Sequence, residues 1–75
     1  MRQQQQVNFN AVGFQRLHGH MPRGRALWIF YFHDDPEEPW VPGLVPRTYQ
    51  EAKQLAAAEA CRRGVTSVRV DPEPL

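Results

Sequence analysis

The longest apolar run of the chain, residues 26–33, predicts its central strand. Aromatic and β-branched side chains dominate this run, and such residues favour strands. Successive side chains of a strand point to opposite faces. One predicted face carries Trp28, Phe30 and Phe32, and the other carries Leu27, Ile29 and Tyr31. Because both faces are apolar, the pattern is typical of a strand that is covered on two sides.

The segment before this run predicts a second strand and a hairpin. Apolar residues alternate with asparagines from Val7 to Ala11, which indicates a half-buried strand. The alternation changes register after Ala11, and a bulge near Gly13 would absorb the extra residue before the strand fades at about Leu17. Two glycines and a proline then make residues 18–25 rich in turn signals. We therefore expect a long antiparallel hairpin over residues 7–33 with a basic tip.

Residues 34–47 contain four prolines, at positions 36, 39, 42 and 46. Proline cannot donate a hydrogen bond to a strand ladder, so we expect no central strand here. A short edge strand is predicted at residues 43–45. A loop of this length in a small domain is usually functional or folded back as cover.

The clearest helix signal begins at Thr48. Thr48 and Glu51 form a capping box, and Gly64 supplies a left-handed C-cap, so the helix is predicted over residues 49–63. One face of this helix carries Tyr49, Ala52, Ala56 and Ala60. Its small side chains can accept the large side chains of Trp28, Phe30 and Phe32. Alternating residues 65–70 predict the last strand.

These elements predict an α+β domain in the order β-β-(β)-α-β. A small antiparallel or mixed β-sheet of three to four strands would pack on one α-helix. If the last strand lies parallel to the strand before the helix, the crossover should be right-handed. Residues 1–6 are expected to be a mobile lead-in, and residues 7–75 a single domain.

Length and composition limit the size of the core and indicate the cellular compartment of the protein. A chain of 75 residues has room for one thin core, and small domains often depend on disulfides, a metal or oligomerisation. The single cysteine, Cys61, excludes an internal disulfide and fits a reducing compartment. No apolar run approaches the roughly 20 residues that span a bilayer. Since the N-terminus lacks the apolar segment of a signal peptide, we expect a cytoplasmic protein without membrane association.

Residues that could carry out catalysis or hold a metal are sparse. Ser67 is the only serine, and Cys61 is expected to be a semi-buried, small apolar residue near a helix C-terminus. His18 and His20, with His33 and Asp34, contain zinc-type ligands, but their spacing is unspecific. The acids at 34, 35, 37 and 38 are interleaved with proline and indicate a solvated turn. We therefore expect a protein that is not an enzyme and holds no metal and no cofactor.

The two apolar faces of the central strand point to protein binding. One helix can cover only the face of Trp28, so the opposite face needs cover from residues 36–46, through Trp40, or from another chain. The residues assigned to this docking surface are Leu27, Ile29, Tyr31 and Trp40. The leading hypothesis is a non-catalytic adaptor or inhibitor that docks on a protein partner or forms a homodimer. If the loop covers the face completely, the protein is instead a monomer without an apolar patch.

Nucleic-acid binding is the alternative hypothesis. Residues 1–33 contain no acidic residue, and the expected hairpin tip gathers basic side chains. These are Arg16, His18, His20, Arg23 and Arg25. An arginine-bearing hairpin can enter a nucleic-acid groove. Against this, the net charge is only +1, whereas dedicated binders usually carry a clear basic excess.

Overall fold

The computed structural model describes residues 6–75. Of the expected lead-in over residues 1–6, all but Gln6 lies outside the described residues. The elements are β1 (Asn8–Asn10), α1 (Val12–His18), β2 (Arg25–Ala26), β3 (Phe30–Phe32), β4 (Asp35–Trp40), β5 (Arg47–Thr48), α2 (Tyr49–Arg63) and β6 (Ser67–Val70).

Four of the strands form one mixed sheet in the order β1-β6-β3-β4. Strand β6 runs parallel to β1 and antiparallel to β3, and β4 pairs antiparallel with β3 on the far side. The remaining strands, β2 and β5, form a separate antiparallel pair that precedes α2. This is an α+β fold with one main helix, as the sequence predicts.

Helix α2 confirms the prediction from its capping signals. The Thr48 hydroxyl accepts a hydrogen bond from the Glu51 amide at 3.2 Å, and the Glu51 carboxylate accepts one from the Thr48 amide at 3.0 Å. Gly64 ends the helix with a positive φ of 76°. Glycine adopts this left-handed conformation readily because it has no Cβ atom that would clash with the backbone.

The core lies between the alanine face of α2 and the inner face of the sheet. Ala52, Ala56 and Ala60 are completely buried. Trp28, Phe30 and Phe32 are buried with them, together with Val68 and Val70 of β6. Large sheet side chains thus pack against small helix side chains, as expected from the sequence.

The predicted continuation of the first strand through residues 12–17 is wrong, because these residues form α1. The Asn10 side chain accepts a hydrogen bond from the Val12 amide at 3.0 Å and so turns the chain out of the strand. Gly19 ends the helix with a φ of 75°. Phe14 is buried in the core, so its apolar position reflects a helix face and not a bulged strand at Gly13.

The predicted hairpin over residues 7–33 is also wrong. Strand β6, which lies far away along the chain, is inserted between β1 and β3. The Phe9 ring still reaches Phe30, at 5.9 Å between ring centroids, because both side chains lie on the inner face. The last strand therefore has β1 as its parallel neighbour, not the strand before the helix.

Part of the segment 34–47 forms an edge strand, where the sequence predicts a loop. The edge strand is β4, Asp35–Trp40, and the prolines at 36 and 39 are tolerated because the strand has a neighbour on one side only. The predicted short strand at residues 43–45 is wrong, since these residues lie in a loop between β4 and β5. Within residues 6–75, no helix is long and apolar enough to cross a membrane.

Candidate protein-binding edge of the sheet

The sheet face opposite α2 is mainly polar and is fixed by internal contacts. The Tyr31 hydroxyl donates to the Asp71 carboxylate at 2.8 Å, and the Arg69 guanidinium lies over the Tyr31 ring at 4.2 Å. The hydrogen bond to Asp71 raises the pKa of the Tyr31 hydroxyl. A shallow depression of about 340 Å³ lies here, with Asn8, Asn10 and Ser67 also on its lining. This face resembles the solvated side of a half-buried sheet.

The structure separates the predicted docking residues. Leu27 and Ile29 are half-buried beside the C-terminal segment: Leu27 exchanges backbone hydrogen bonds with Leu75, and the Asp71 amide donates to the Ile29 carbonyl. Tyr31 follows them on the polar face. Trp40 lies on the other side of the sheet, because its ring packs against Phe30 and Phe32. Docking through Leu27, Ile29 and Tyr31 stays a prediction, and Trp40 does not share their surface.

The basic residues of the alternative hypothesis are spread over three segments. Arg16 and His18 belong to α1, His20 and Arg23 to the link that follows, and Arg25 to β2. The His18 and His20 rings are 6.0 Å apart, and both pack near the Phe14 ring. His18 Nε2 also lies 2.7 Å from the Pro72 carbonyl. His18 and His20 therefore both contact the Phe14 ring, and nucleic-acid binding stays a prediction.

The side chains considered for metal binding and catalysis are dispersed. Asp34, next to His33, forms an ion pair with Arg63 at 3.3 Å. Across the described range 6–75, no three His, Cys, Asp or Glu side chains are grouped so that they could hold a metal ion. Cys61 is exposed, so its expected semi-buried position is wrong.

The two outer strands of the sheet differ in chemistry. Strand β4 carries Pro36, Pro39 and three acids, and prolines and charges on an edge discourage pairing with further strands. Strand β1 has the sequence Asn-Phe-Asn, and no charged residue occurs between positions 3 and 15. One edge of the sheet is thus protected, and the other, which has no further strand beside it among residues 6–75, is the open edge.

The backbone of β1 directs hydrogen-bonding groups away from its neighbour β6 at this open edge. The Asn8 amide donates to the Thr66 carbonyl at 2.7 Å, so Asn8 faces β6. In a parallel pair alternate residues direct their backbone groups at the neighbour, and the next residue directs them away. The amide and carbonyl of Phe9 therefore point away from β6. Among residues 6–75, no strand lies on that side of β1.

A groove runs beside the open edge, between β1 and α2. It has a volume of about 480 Å³, and its lining includes Val7, Phe9, Lys53, Ala57, Ala58 and Cys61. Val7 and Phe9 are half-buried, and the Lys53 ammonium lies 5.3 Å from the centre of the Phe9 ring. Gln50 and Gln54 form a polar rim. The groove can accept apolar side chains from a strand that pairs with β1.

The sequence contains a signal for this edge, but the signal can be interpreted only when the strand order is known. An uncharged strand and a strand rich in proline and acids are distinguishable in the sequence, but their positions at opposite ends of one sheet are not. No protein-family model, curated protein or solved structure matches this chain. The functional proposal therefore depends on the geometry of β1 and its groove.

Proposed function

We propose that this protein is a non-catalytic protein-binding module of the adaptor or inhibitor type. It binds an extended segment of another protein chain as an additional strand along β1. The observation that carries this proposal is the coincidence of an unprotected sheet edge with an apolar groove. Either feature alone is common on small domains.

Strand addition assigns separate roles to the edge and to the groove. Backbone groups of an added strand would pair with those of Phe9, which contributes affinity without selecting a sequence. Alternate side chains of the same strand would enter the groove beside Ala57, and this contributes specificity. The partner segment should carry apolar side chains at alternate positions. The exposed free Cys61 agrees with action in a reducing compartment such as the cytoplasm.

Two matched arginine variants of α2 test the proposal. Ala57→Arg places a large cation in the groove, whereas Leu55→Arg places the same side chain on the opposite flank of the helix, where Leu55 is 41% exposed. The tagged protein is used to capture either another protein or an untagged copy of itself from its own cells. We expect Leu55→Arg to retain the captured chain and Ala57→Arg to lose it.

The same capture distinguishes the other binding routes. Retention of the partner by Ala57→Arg would contradict strand addition at β1. Loss of the partner after nuclease treatment would support the nucleic-acid alternative instead. Loss with Ile29→Asp but not with Ala57→Arg would assign binding to the second face of the central strand.

A further inference from the structure

We propose that the strand that β1 accepts is the β1 strand of a second copy of this chain. This inference rests on the proposed function, because it assumes that β1 is the binding edge. The two strands would pair antiparallel about a two-fold axis, with Phe9 of one copy opposite Phe9 of the other. Two four-stranded sheets would then join into one continuous sheet of eight strands.

The sequence of β1 is self-complementary in this arrangement. Around Phe9 the chain reads Val7-Asn8-Phe9-Asn10-Ala11, which has the same pattern in both directions. In an antiparallel pair centred on Phe9, Asn8 of each copy lies opposite Asn10 of the other. A two-fold interface requires each surface patch to match itself, and this palindrome meets that requirement without a second type of strand.

The backbone of Phe9 is oriented for this pairing. The amide and carbonyl of Phe9 point away from β6, at the edge of the sheet. Two Phe9 residues from two copies can therefore exchange both hydrogen bonds as a hydrogen-bonded pair. Each half-buried Phe9 ring would then be covered by its symmetry mate on the inner face. The two grooves beside Ala57 would face each other across the same axis.

Charge and edge asymmetry favour a closed dimer over a growing fibre. No charged residue lies on β1, so two copies meet there without repulsion from the strand itself. Head-to-tail growth would require β1 to pair with β4, whose prolines and acids oppose it. When two copies pair through β1, the strand at each end of the joined sheet is a β4 that is protected against further pairing. The assembly therefore stops at a dimer.

Two double variants test both the pairing and its register. Asn8→Lys with Asn10→Asp places an introduced lysine opposite an introduced aspartate twice in the dimer. Asn8→Asp with Asn10→Asp places aspartates opposite each other at the same positions. The Asn8 and Asn10 side chains are exposed. Aspartate at position 10 keeps an oxygen that accepts the hydrogen bond from the Val12 amide. The two variants therefore differ only at position 8 and should both fold, which circular dichroism checks.

Analytical ultracentrifugation over a range of concentrations measures the dimer dissociation constant. We expect Asn8→Lys/Asn10→Asp to lower it by about tenfold, and Asn8→Asp/Asn10→Asp to raise it by about tenfold, since opposite and like charges across a strand pair act with opposite sign. A dimer whose dissociation constant is the same in both variants would overturn the proposal. So would a monomer at all concentrations for both the native chain and the variant with paired opposite charges.

The failure of this inference is distinguishable from failure of the proposed function. If the chain is monomeric but captures a different protein, and Ala57→Arg abolishes that capture, strand addition stands and self-pairing is wrong. If neither self-association nor capture responds to Ala57→Arg, both are wrong.

Discussion

The two edge strands of the sheet, β4 and β1, pack on the same core but differ in the proline and charged residues that they expose. Strand β4 combines two prolines with Asp35, Glu37 and Glu38. It is also connected to α2 through the Asp34–Arg63 ion pair next to it. Strand β1 has neither proline nor charge, and it contacts α2 through the Phe9 ring under Lys53. Under the proposed function, this difference between the edges would direct association to a single site.

The small size of the chain gives a physical reason for leaving the β1 edge available for pairing. Domains of this size gain little free energy from their own core and often gain more from oligomerisation. Pairing at β1 would cover Phe9 and Val7, which the chain leaves half-buried. The prolines of β4 would limit the resulting assembly.

Truncation of Phe30 should have the largest effect, because its ring connects the two edges. Phe30 is completely buried and packs against Phe9 from β1 and Trp40 from β4. We expect Phe30→Ala to lower the free energy of unfolding by about 3–5 kcal/mol. Leu44→Ala, at a residue that is 84% exposed, should change it by less than about 0.5 kcal/mol. Urea denaturation compares the two, and equal effects would contradict the assigned core.

Removal of the protection on β4 should change the size of the assembly. The triple variant Pro36→Thr/Glu37→Thr/Pro39→Thr gives the sheet a second open edge, so chains could then add at both ends. We expect species larger than a dimer that grow with concentration in sedimentation velocity. Pro46→Thr, in the loop before β5, is the control and should behave like the native chain. A triple variant of unchanged size would show that these residues do not guard the edge.

Acid should weaken the ion pairs on the β4 side of α2. Hydrogen bonds from Arg62 and then Arg63 lower the pKa of the Glu59 carboxyl from 4.5 to about 2. Because this pKa is lower in the folded chain, the stabilisation is complete above pH 4.5 and is lost as the pH falls towards 2. We expect Glu59→Gln to melt below the native chain at pH 7, and the difference to vanish near pH 2. A constant difference across this range would contradict the assignment.

Substitution of Ile29 should have the smallest effect on association. Ile29 is half-buried next to Asp71, away from β1, and an aspartate there can still reach water. We expect Ile29→Asp to remain folded and to associate like the native chain. Circular dichroism paired with light scattering measures both properties. A folded variant that no longer associates would move the docking site from the β1 edge to the second face of the strand.

Local signals in the sequence were sufficient for α2 but not for α1. Thr48, Glu51 and Gly64 each act within a few residues of the helix end that they define, so both ends were predictable. Helix α1 has only seven residues, and its Val12 and Phe14 also favour strands. The deciding contacts are the hydrogen bond from the Val12 amide to the Asn10 side chain and the burial of Phe14 against Trp28, and the second is tertiary.

The strand order depended on contacts that sequence patterns do not encode. Val68 and Val70 predict a strand with one buried face, but nothing in residues 65–70 specifies insertion between β1 and β3. The candidate edge was missed for the same reason. Asn8 and Phe9 occupy an open edge only because β6 lies on their other side.

Hydrogen exchange at two adjacent amides tests the open edge most directly. The Asn8 amide is bonded to the Thr66 carbonyl, whereas the Phe9 amide points away from the sheet. We expect NMR on dilute protein to show slow exchange at Asn8 and fast exchange at Phe9. At concentrations where the dimer forms, Phe9 should become slow while Asn8 stays unchanged. Slow exchange at Phe9 in the dilute monomer, or fast exchange at Phe9 in the dimer, would contradict strand pairing at β1.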